Sequence, residues 1–338
     1  MTVAPGQEDL IEGVPLDLSA TDGAVAIKGR SPWQIFGARL RRDKVTMIAL
    51  VLSILFLVVG AISPLLVRWG LLKPDDQHPD LVQDLGSIPG GFAGGMSGSH
   101  PLGVEPGTGR DLFSRIITGM TTSLLVAVLA TLFAIILGTA IGLISGFSGG
   151  VVDTILSRFM DLVLSFPSTL MLLSLQAVLV HRIAVVMGQA DSAPGPKIAF
   201  MIIVLGFFGW PFFARIIRGQ VLSLREREFV EAARSLGARR GRIYVKELLP
   251  HLWAPILVYT TLIMPQFISA EAALGFLGVG INPPTASLGA ILNDSVSYAL
   301  ADPAYFLFPG LTVVILVLAF NLLGDGLRDA LDPKSGRS

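Results

Sequence analysis

One polar segment of this hydrophobic chain, residues 215–250, carries the side chains best suited to a specific chemical contact. It holds nine basic and four acidic residues. Residues 223–226 (Ser-Leu-Arg-Glu) have the form of a capping box, in which the serine and glutamate side chains satisfy backbone N–H groups at a helix start. Apolar residues then recur at spacings of three and four, and Gly237 follows as a helix stop. The pattern predicts a short amphipathic helix edged by arginines, and a second short helix over residues 239–248 that ends before Pro250.

The chemistry of this segment is recognition rather than catalysis. A bent, charged helical hairpin between two membrane spans is what a mechanical contact with a soluble partner requires. The alternative is a helix that lies on the membrane surface and only anchors the bundle. The sequence has no Ser-His-acid set, no paired carboxylates and no glycine-rich phosphate loop. It contains no cysteine, and its four histidines are scattered. We therefore expect no catalytic residue, no metal site and no cofactor in this chain.

Two prolines interrupt apolar stretches and are followed by small polar residues. Pro167 precedes Ser168, and Pro265 precedes Gln266 and Ser269. Proline removes an intrahelical hydrogen bond and can bend a helix. Two bent helices could line a pathway wide enough for a peptide backbone, with the polar residues as neutral hydrogen-bonding groups. The alternative is that both prolines are ordinary packing kinks.

The elements that must position these residues are membrane helices. The chain is 52% hydrophobic and 15% charged, with a mean hydropathy of +0.69, whereas soluble domains carry about 25% charged residues. A helix that crosses a bilayer needs about 20 apolar residues. Six uncharged stretches approach or exceed this length, namely residues 45–67, 123–147, 162–180, 198–214, 252–270 and 305–324. We expect the third to start earlier, near Val151, and Arg158 to pair with Asp161 beside it. Glycines 138, 142 and 146 predict a closely packed second span.

The distribution of basic residues sets the orientation. With the N-terminus inside, cytoplasmic segments hold 19 of the 25 lysines and arginines. We therefore predict an all-α polytopic membrane protein with six transmembrane helices and both termini in the cytoplasm. The predicted organisation is a disordered cytoplasmic tail (1–30), an amphipathic or basic pre-membrane segment (31–44), the first span (45–67), an external loop with an insertion (68–119) and a core with the other five spans (120–334) that includes the cytoplasmic loop 215–250.

The polar segment also matches a known motif. Its residues follow the order and spacing EAA-x3-G-x9-I-x-L-P, and the segment resembles the coupling loop of ABC importer permeases. The matching residues are Glu231, Ala232, Ala233, Gly237, Leu249 and Pro250. One position differs from the motif. Where the motif has an apolar residue, this sequence has Glu247, although the adjacent Leu248 could supply the packing. In that family the segment sits in a cleft of the ATP-binding subunit, so the resemblance implies an ATPase-coupling role for the matching residues.

Further motifs narrow the resemblance to one branch. Residues 100–103 (His-Pro-Leu-Gly), followed by Gly109, Arg110 and Asp111, are similar to a stretch of the dipeptide, oligopeptide and nickel permeases. Other matches to the same branch follow in order as far as residue 333. The resemblance implies the transmembrane domain of a type I ABC importer. It also places Arg110 and Asp111 on the external face, toward a substrate-binding protein.

The resemblance implies a division of labour. This chain would form half of a translocation pathway with a second homologous permease subunit. Two ABC ATPase subunits would bind ATP and Mg²⁺, and an extracytoplasmic substrate-binding protein would deliver the substrate. The setting would be the lipid bilayer of a bacterial or archaeal cytoplasmic membrane, without a nucleic-acid partner.

The expected substrates are dipeptides and oligopeptides. One alternative is the import of nickel complexes or another small solute by the same architecture. A second alternative is a carrier that works without ATP, but such carriers are often built from inverted repeats. No such repeat is visible between the two halves of this sequence.

Overall fold

The computed structural model describes residues 32–83, 88–91 and 93–331, and in this part of the chain it contains helices and loops but no β-strand. The predicted tail (1–30) and the last residues of the predicted core (332–334) lie outside the described residues. The helices are α1 (Pro32–Arg42), α2 (Lys44–Arg68), α3 (Leu112–Ser148), α4 (Gly150–Ser165), α5 (Ser168–Met187), α6 (Pro194–Leu224), α7 (Glu228–Ser235), α8 (Arg240–Arg242), α9 (Leu249–Phe276), α10 (Leu288–Val296) and α11 (Pro303–Leu331). A π-helical segment, Ile243–Leu248, joins α8 to α9.

Six of these helical stretches are long and apolar enough to cross a membrane: α2, α3, α5, α6, the continuous run from α8 through α9, and α11. The prediction of an all-α chain with six spans is therefore confirmed. The helices extend beyond the uncharged stretches, because polar residues at the ends of a span lie outside the hydrocarbon and continue the same helix. The third span is an exception and begins later than predicted.

A break at Pro167 explains this difference. The third span was expected to begin near Val151, but that region forms the separate helix α4, which ends at Ser165, and the span itself begins at Ser168. Phe166 is extended, with φ −81° and ψ 130°. A proline disfavours helical geometry in the residue that precedes it, so the chain leaves one helix and starts another.

The centre of the bundle is the contact between α3 and α6. Three glycines of α3 lie one turn apart along this contact. At each of them a side chain would clash with α6. A Cβ atom on Gly138 would lie 2.8 Å from the Phe213 ring, and one on Gly142 would lie 2.7 Å from the carbonyl oxygen of Ala214. On Gly146 it would lie 2.8 Å from Val221. The glycine pattern of the second span therefore serves close helix packing, as predicted.

The bundle has two ends, which we name after the short helix at each. The α7 end holds α7, where Arg225 donates to the carbonyl oxygen of Gly146 near the end of α3. The α10 end holds α10 and the described residues 69–83, 88–91 and 93–111, and here Arg115 near the start of α3 donates to the carbonyl oxygen of Pro284. The predicted orientation would place the α7 end in the cytoplasm and the α10 end outside.

Candidate functional site

The helix α7 begins later than the sequence predicted. Ser223 lies inside α6, which continues to Leu224, and α7 starts at Glu228 with Arg227 at the N-cap. The capping-box interpretation of residues 223–226 was therefore wrong. Residues 215–224 continue the helix of the fourth span, because buried Val221 keeps packing against Gly146 of α3 beyond the uncharged stretch. Most of the segment predicted as the cytoplasmic loop 215–250 is therefore helical.

The C-terminus of α7 is a tight turn at Gly237. Gly237 has φ +77°, and its N–H donates to the carbonyl of Arg234 at 2.9 Å. The N–H of Ala238 donates to the carbonyl of Ala233 at 3.0 Å. These two bonds form a Schellman motif, in which a residue without a Cβ atom takes the left-handed conformation. The predicted role of Gly237 as a helix stop is confirmed.

Aromatic contacts hold α7 rigidly against the bundle. Val230 is fully buried, and the Phe229 ring stacks on His251 of α9 with 4.6 Å between ring centroids. The Arg234 guanidinium lies 4.6 Å from the centroid of Phe147, at the end of α3. The Phe147 ring in turn meets Tyr244 edge to face at 5.1 Å. The helix therefore contacts both α3 and the α8–α9 run.

The remaining motif residues surround this turn and present an open surface. Glu231 and Ala232 are exposed, Ala233 is half-buried, and Leu236 is 88% exposed. In the described part of the chain, a depression of about 380 Å³ lies between the turn after α7 and the start of α9, with Arg239, Arg242 and Glu247 among its lining residues.

The end of the motif lies at the start of α9. Leu249 and Pro250 form the first turn of α9, with Leu249 half-buried and Pro250 exposed. Leu248 is fully buried, so it supplies the packing that Glu247 does not. The second short helix does not end before Pro250 as predicted. It runs through the π-helical segment directly into α9, and Pro250 lies in the first turn of α9.

Two ion pairs fasten α4 to α6 near the α7 end. Arg218 donates two hydrogen bonds, of 2.6 and 2.7 Å, to the carboxylate of Asp153, which also accepts from the Ser145 hydroxyl. Asp161 pairs with Arg215, and both of these side chains are about half exposed. The expected partner of Asp161 was Arg158, three residues away on the same helix, and that expectation was wrong. Both pairs join separate helices and fasten α4 to α6.

The candidate pathway residues are only partly brought together. Ser168 and Gln266 line one cavity of about 260 Å³ between α5, α6 and α9, with apolar walls that include Phe208 and Phe267. Pro167 and Ser269 are both exposed, but they do not line this cavity. Ser269 donates its hydroxyl hydrogen to the Pro265 carbonyl at 2.9 Å, one turn earlier in the same helix, so this hydroxyl is satisfied within α9.

Arg110 and Asp111 belong to a polar network at the α10 end. Asp111 is the N-cap of α3 and accepts from the Ser114 N–H at 2.8 Å. Arg110 lies 3.1 Å from Glu105, which also accepts from the fully buried Arg115 at 2.8 Å. Both predicted residues are largely buried and internally paired, so the structure gives them a local structural role. Their contact with a binding protein stays a prediction.

Sequence reasoning missed one buried acid, Glu271. It is 1% exposed in α9, and neither carboxyl oxygen has a hydrogen-bond partner among the described residues. The hydroxyls of Ser123 and Ser287 face it from α3 and from the N-cap of α10. No local pattern in the sequence signals that this residue will be buried at the junction of three helices.

Together, the fold and this site define a class of protein: a multi-pass membrane subunit that presents a rigid helical surface at one end of its bundle. Residues 138–337 match the family described as the binding-protein-dependent transport system inner membrane component. Residues 31–84 match the N-terminal TM domain of oligopeptide transport permease C. The chain therefore belongs to the family of binding-protein-dependent transport system inner membrane components.

Curated relatives agree with this family over nearly the whole chain. The chain is 36% identical to the dipeptide transport system permease protein DppC of Alkalihalophilus pseudofirmus, over 90% of each chain. It is 39% identical to the glutathione transport system permease protein GsiD of Shigella flexneri serotype 5b, over 90% of this chain and 91% of the relative.

A solved structure shares the fold. A chain from an inward-facing crystal form of the MetNI methionine ABC transporter superposes with a TM-score of 0.50 at 20% identity. The match covers 65% of this chain and 98% of the other. At this identity the similarity concerns the fold alone.

Membership of the family establishes the general role of the chain. It is a permease subunit of an ABC importer and a multi-pass protein of the cytoplasmic membrane, and separate ATPase subunits hydrolyse the ATP. The family also implies an ATPase partner and a substrate-binding partner. The resemblance found in the sequence is therefore confirmed at this level.

Proposed function

We propose that this chain forms one half of the translocation pathway of a peptide importer, in complex with a second homologous permease, two ATPase subunits and an extracytoplasmic binding protein. In this proposal α7 and the turn at Gly237 dock on an ATPase subunit. The orientation that follows puts the α7 end in the cytoplasm and the α10 end toward the binding protein.

The observation that carries the coupling role is the anchoring of α7. Its inner face is fixed by Val230 and by the contacts of Phe229 and Arg234 with two long helices. Its outer face exposes Glu231 and Leu236. A rigid-body displacement of α7 would therefore be passed directly to α3 and α9, which cross the membrane. A helix that served only as a surface anchor would not need such contacts to two spans.

The cavity that holds Ser168 and Gln266 is the candidate for contact with the substrate in transit. It lies between three membrane-spanning helices, and most of its walls are apolar, with phenylalanine rings around two neutral polar groups. An uncharged polar group can exchange hydrogen bonds with a peptide backbone without holding a charge tightly, which suits a pathway that must release what it binds. Pro167 and Ser269 are exposed, and each lies close in the sequence to one of the two polar residues of the cavity. In this proposal both face the second permease.

The peptide assignment rests on the relatives, whose names specify dipeptide and glutathione transport. Both are short peptides with an amide backbone. The same architecture could carry a nickel complex, and substrate choice would then be made mainly by the binding protein.

One uptake experiment tests the proposal. The complete complex with its binding protein is reconstituted in proteoliposomes, and uptake of labelled dipeptides, glutathione and a nickel chelate is compared with ATP and with a non-hydrolysable analogue. We expect peptide uptake only with ATP. Uptake of the nickel chelate alone would overturn the peptide assignment, and equal uptake with the analogue would overturn the ATP-driven mechanism.

A further inference from the structure

Four basic residues lie close together where α1 ends and the first span begins. They are Arg39, Arg41, Arg42 and Lys44, and we call residues 39–44 the basic segment. The last three of these side chains are exposed, so they are open to a ligand. The one acid of the segment, Asp43, is engaged as the N-cap of α2, where it accepts from the Val45 N–H at 3.0 Å and from the Thr46 hydroxyl. The segment therefore presents an excess of accessible positive charge.

The basic segment lies at the boundary of the membrane, at the α7 end of the bundle. Gly60, late in α2, packs beside Leu124 near the start of α3, so the start of α2 is at the opposite end of the bundle from α10. Val45 and Ile48, which follow the segment at once, are exposed apolar residues of a span. Such residues border the hydrocarbon of a bilayer. Because one helical turn rises about 5 Å, Lys44 lies within a turn of the hydrocarbon, at the level of the lipid headgroups.

The surroundings of the basic segment leave it positive and separate it from the proposed ATPase surface. Helix α1 packs mainly against α2 and α11, whereas α7 contacts α3 and α9. The end of α11 adds two acids and one base, Asp325, Asp329 and Arg328. These charges do not cancel the excess of the basic segment. The chain also leaves helical geometry at Asp43, with φ −87° and ψ 104°, so α1 is a separate helix and does not continue the span.

We propose that the basic segment binds the headgroup of an anionic phospholipid, in the leaflet at the α7 end, through Arg41, Arg42 and Lys44. The guanidinium groups of arginine match the oxygens of a phosphate, and a cluster of basic residues directly beside a span attracts anionic lipid. A zwitterionic headgroup also has a phosphate, but its own ammonium group cancels the charge. The occupant is therefore identified by the sign of the charge and by its depth in the membrane. The proposal does not depend on the transported substrate or on the role of α7.

The test measures which phospholipid the purified complex retains. The complete complex is equilibrated with equal amounts of phosphatidylglycerol, phosphatidylethanolamine and phosphatidylcholine, and the retained lipids are counted by native mass spectrometry. We expect wild type to prefer phosphatidylglycerol. The double variant Arg41→Gln, Arg42→Gln should lower this preference about 25-fold, because each basic residue beside an anionic surface contributes about fivefold. Glutamine has nearly the helix propensity of arginine, so α1 should be kept. The matched control is Arg68→Gln with Arg182→Gln, which removes two exposed cations near the other ends of two spans and should keep the preference.

A second measurement leaves the protein unchanged. At about 1 M salt the charges of exposed groups are screened within about 3 Å, so the preference of the wild-type complex should fall toward that of the glutamine variant. A preference that is the same at low and high salt, or the same in wild type and the glutamine variant, would overturn the proposal. An equal loss in the control pair would also overturn it, because retention would then follow the total charge of the chain. If the glutamine variant instead lost ATPase subunits with its lipid content unchanged, the segment would be a protein contact and the lipid proposal would be wrong.

Discussion

The guanidinium of Arg234 in α7 lies 4.6 Å from the centroid of the Phe147 ring, one residue before the end of α3. A cation above an aromatic face is attracted by the negative charge density of the ring. The contact joins the exposed helix at the α7 end to the helix that makes the largest contact in the membrane, the one between α3 and α6. It is a direct physical link between the proposed ATPase surface and the centre of the bundle.

Removing the charge of Arg234 should loosen α7 without disturbing the spans. We expect Arg234→Gln to weaken the attachment of α7 by about 0.5–1 kcal/mol, the usual strength of an exposed cation–π contact. Hydrogen–deuterium exchange of residues 228–236 in the purified permease should then become faster by about two- to fivefold. Arg240→Gln, an exposed arginine of α8, is the matched control. Unchanged exchange in both variants would show that the ring contact does not hold α7.

The turn at Gly237 gives a second prediction, which concerns transport. Gly237→Val puts a β-branched side chain at φ +77°, where open surroundings leave backbone strain as the whole penalty, about 1–3 kcal/mol. We expect normal insertion but strongly reduced uptake, with ATPase subunits lost on purification or no longer responsive to loaded binding protein. Gly241→Val is the control, because Gly241 also has open surroundings and its φ is not positive. Normal uptake by Gly237→Val would contradict the coupling role of this turn.

The two ion pairs between α4 and α6 predict unequal effects on stability. Asp153→Asn breaks a double hydrogen bond to Arg218 with the Asp153 side chain only 16% exposed, a loss of about 1.5–3 kcal/mol. Asp161→Asn breaks a pair whose side chains are about half exposed, a loss of about 1 kcal/mol or less. Thermal unfolding of the purified complex should show a clear drop for the first variant and little for the second. Equal drops would mean that burial does not decide the strength of these pairs.

Local signals in the sequence predicted the elements that depend on local chemistry. Apolar runs identified the six spans, and Gly237 marked a helix stop that the structure contains, whereas Pro167 was expected to bend the third span and instead separates α4 from α5. Glycines one turn apart predicted close packing, and they line the α3–α6 contact. Each of these features follows from the conformational limits or size of the residues themselves, so no knowledge of distant contacts was required.

Features set by distant contacts could not be predicted in this way. Ser223 had a capping pattern, but tertiary packing keeps it inside α6. Asp161 pairs with Arg215 of another helix rather than with Arg158 nearby. Glu271 is buried against residues of α3 and α10 that are distant in the sequence, and nothing beside it distinguishes it from an exposed acid. Burial and pairing across the bundle are properties of the assembled fold.

The orientation in the membrane follows from charge bias and can be measured directly. The chain has no cysteine, so single cysteines are unambiguous probes. Ser99, Ser297 and Ser223 are all exposed. In intact cells an impermeant thiol reagent should label Ser99→Cys and Ser297→Cys at the α10 end, and it should label Ser223→Cys only after permeabilisation. Labelling of Ser223→Cys in intact cells would reverse the topology.

The central claim is that α7 contacts an ATPase subunit, and site-directed cross-linking tests it most directly. Ser235 is an exposed residue of α7, and Ser99 is an exposed residue at the opposite end of the bundle. Each is replaced by cysteine in turn, and the assembled complex is treated with a short cross-linker that joins cysteine to lysine. We predict a product of this chain with the ATPase subunit from Ser235→Cys and none from Ser99→Cys. An intact, ATP-hydrolysing complex in which Ser235→Cys reacts with the linker but never joins the ATPase would contradict the account.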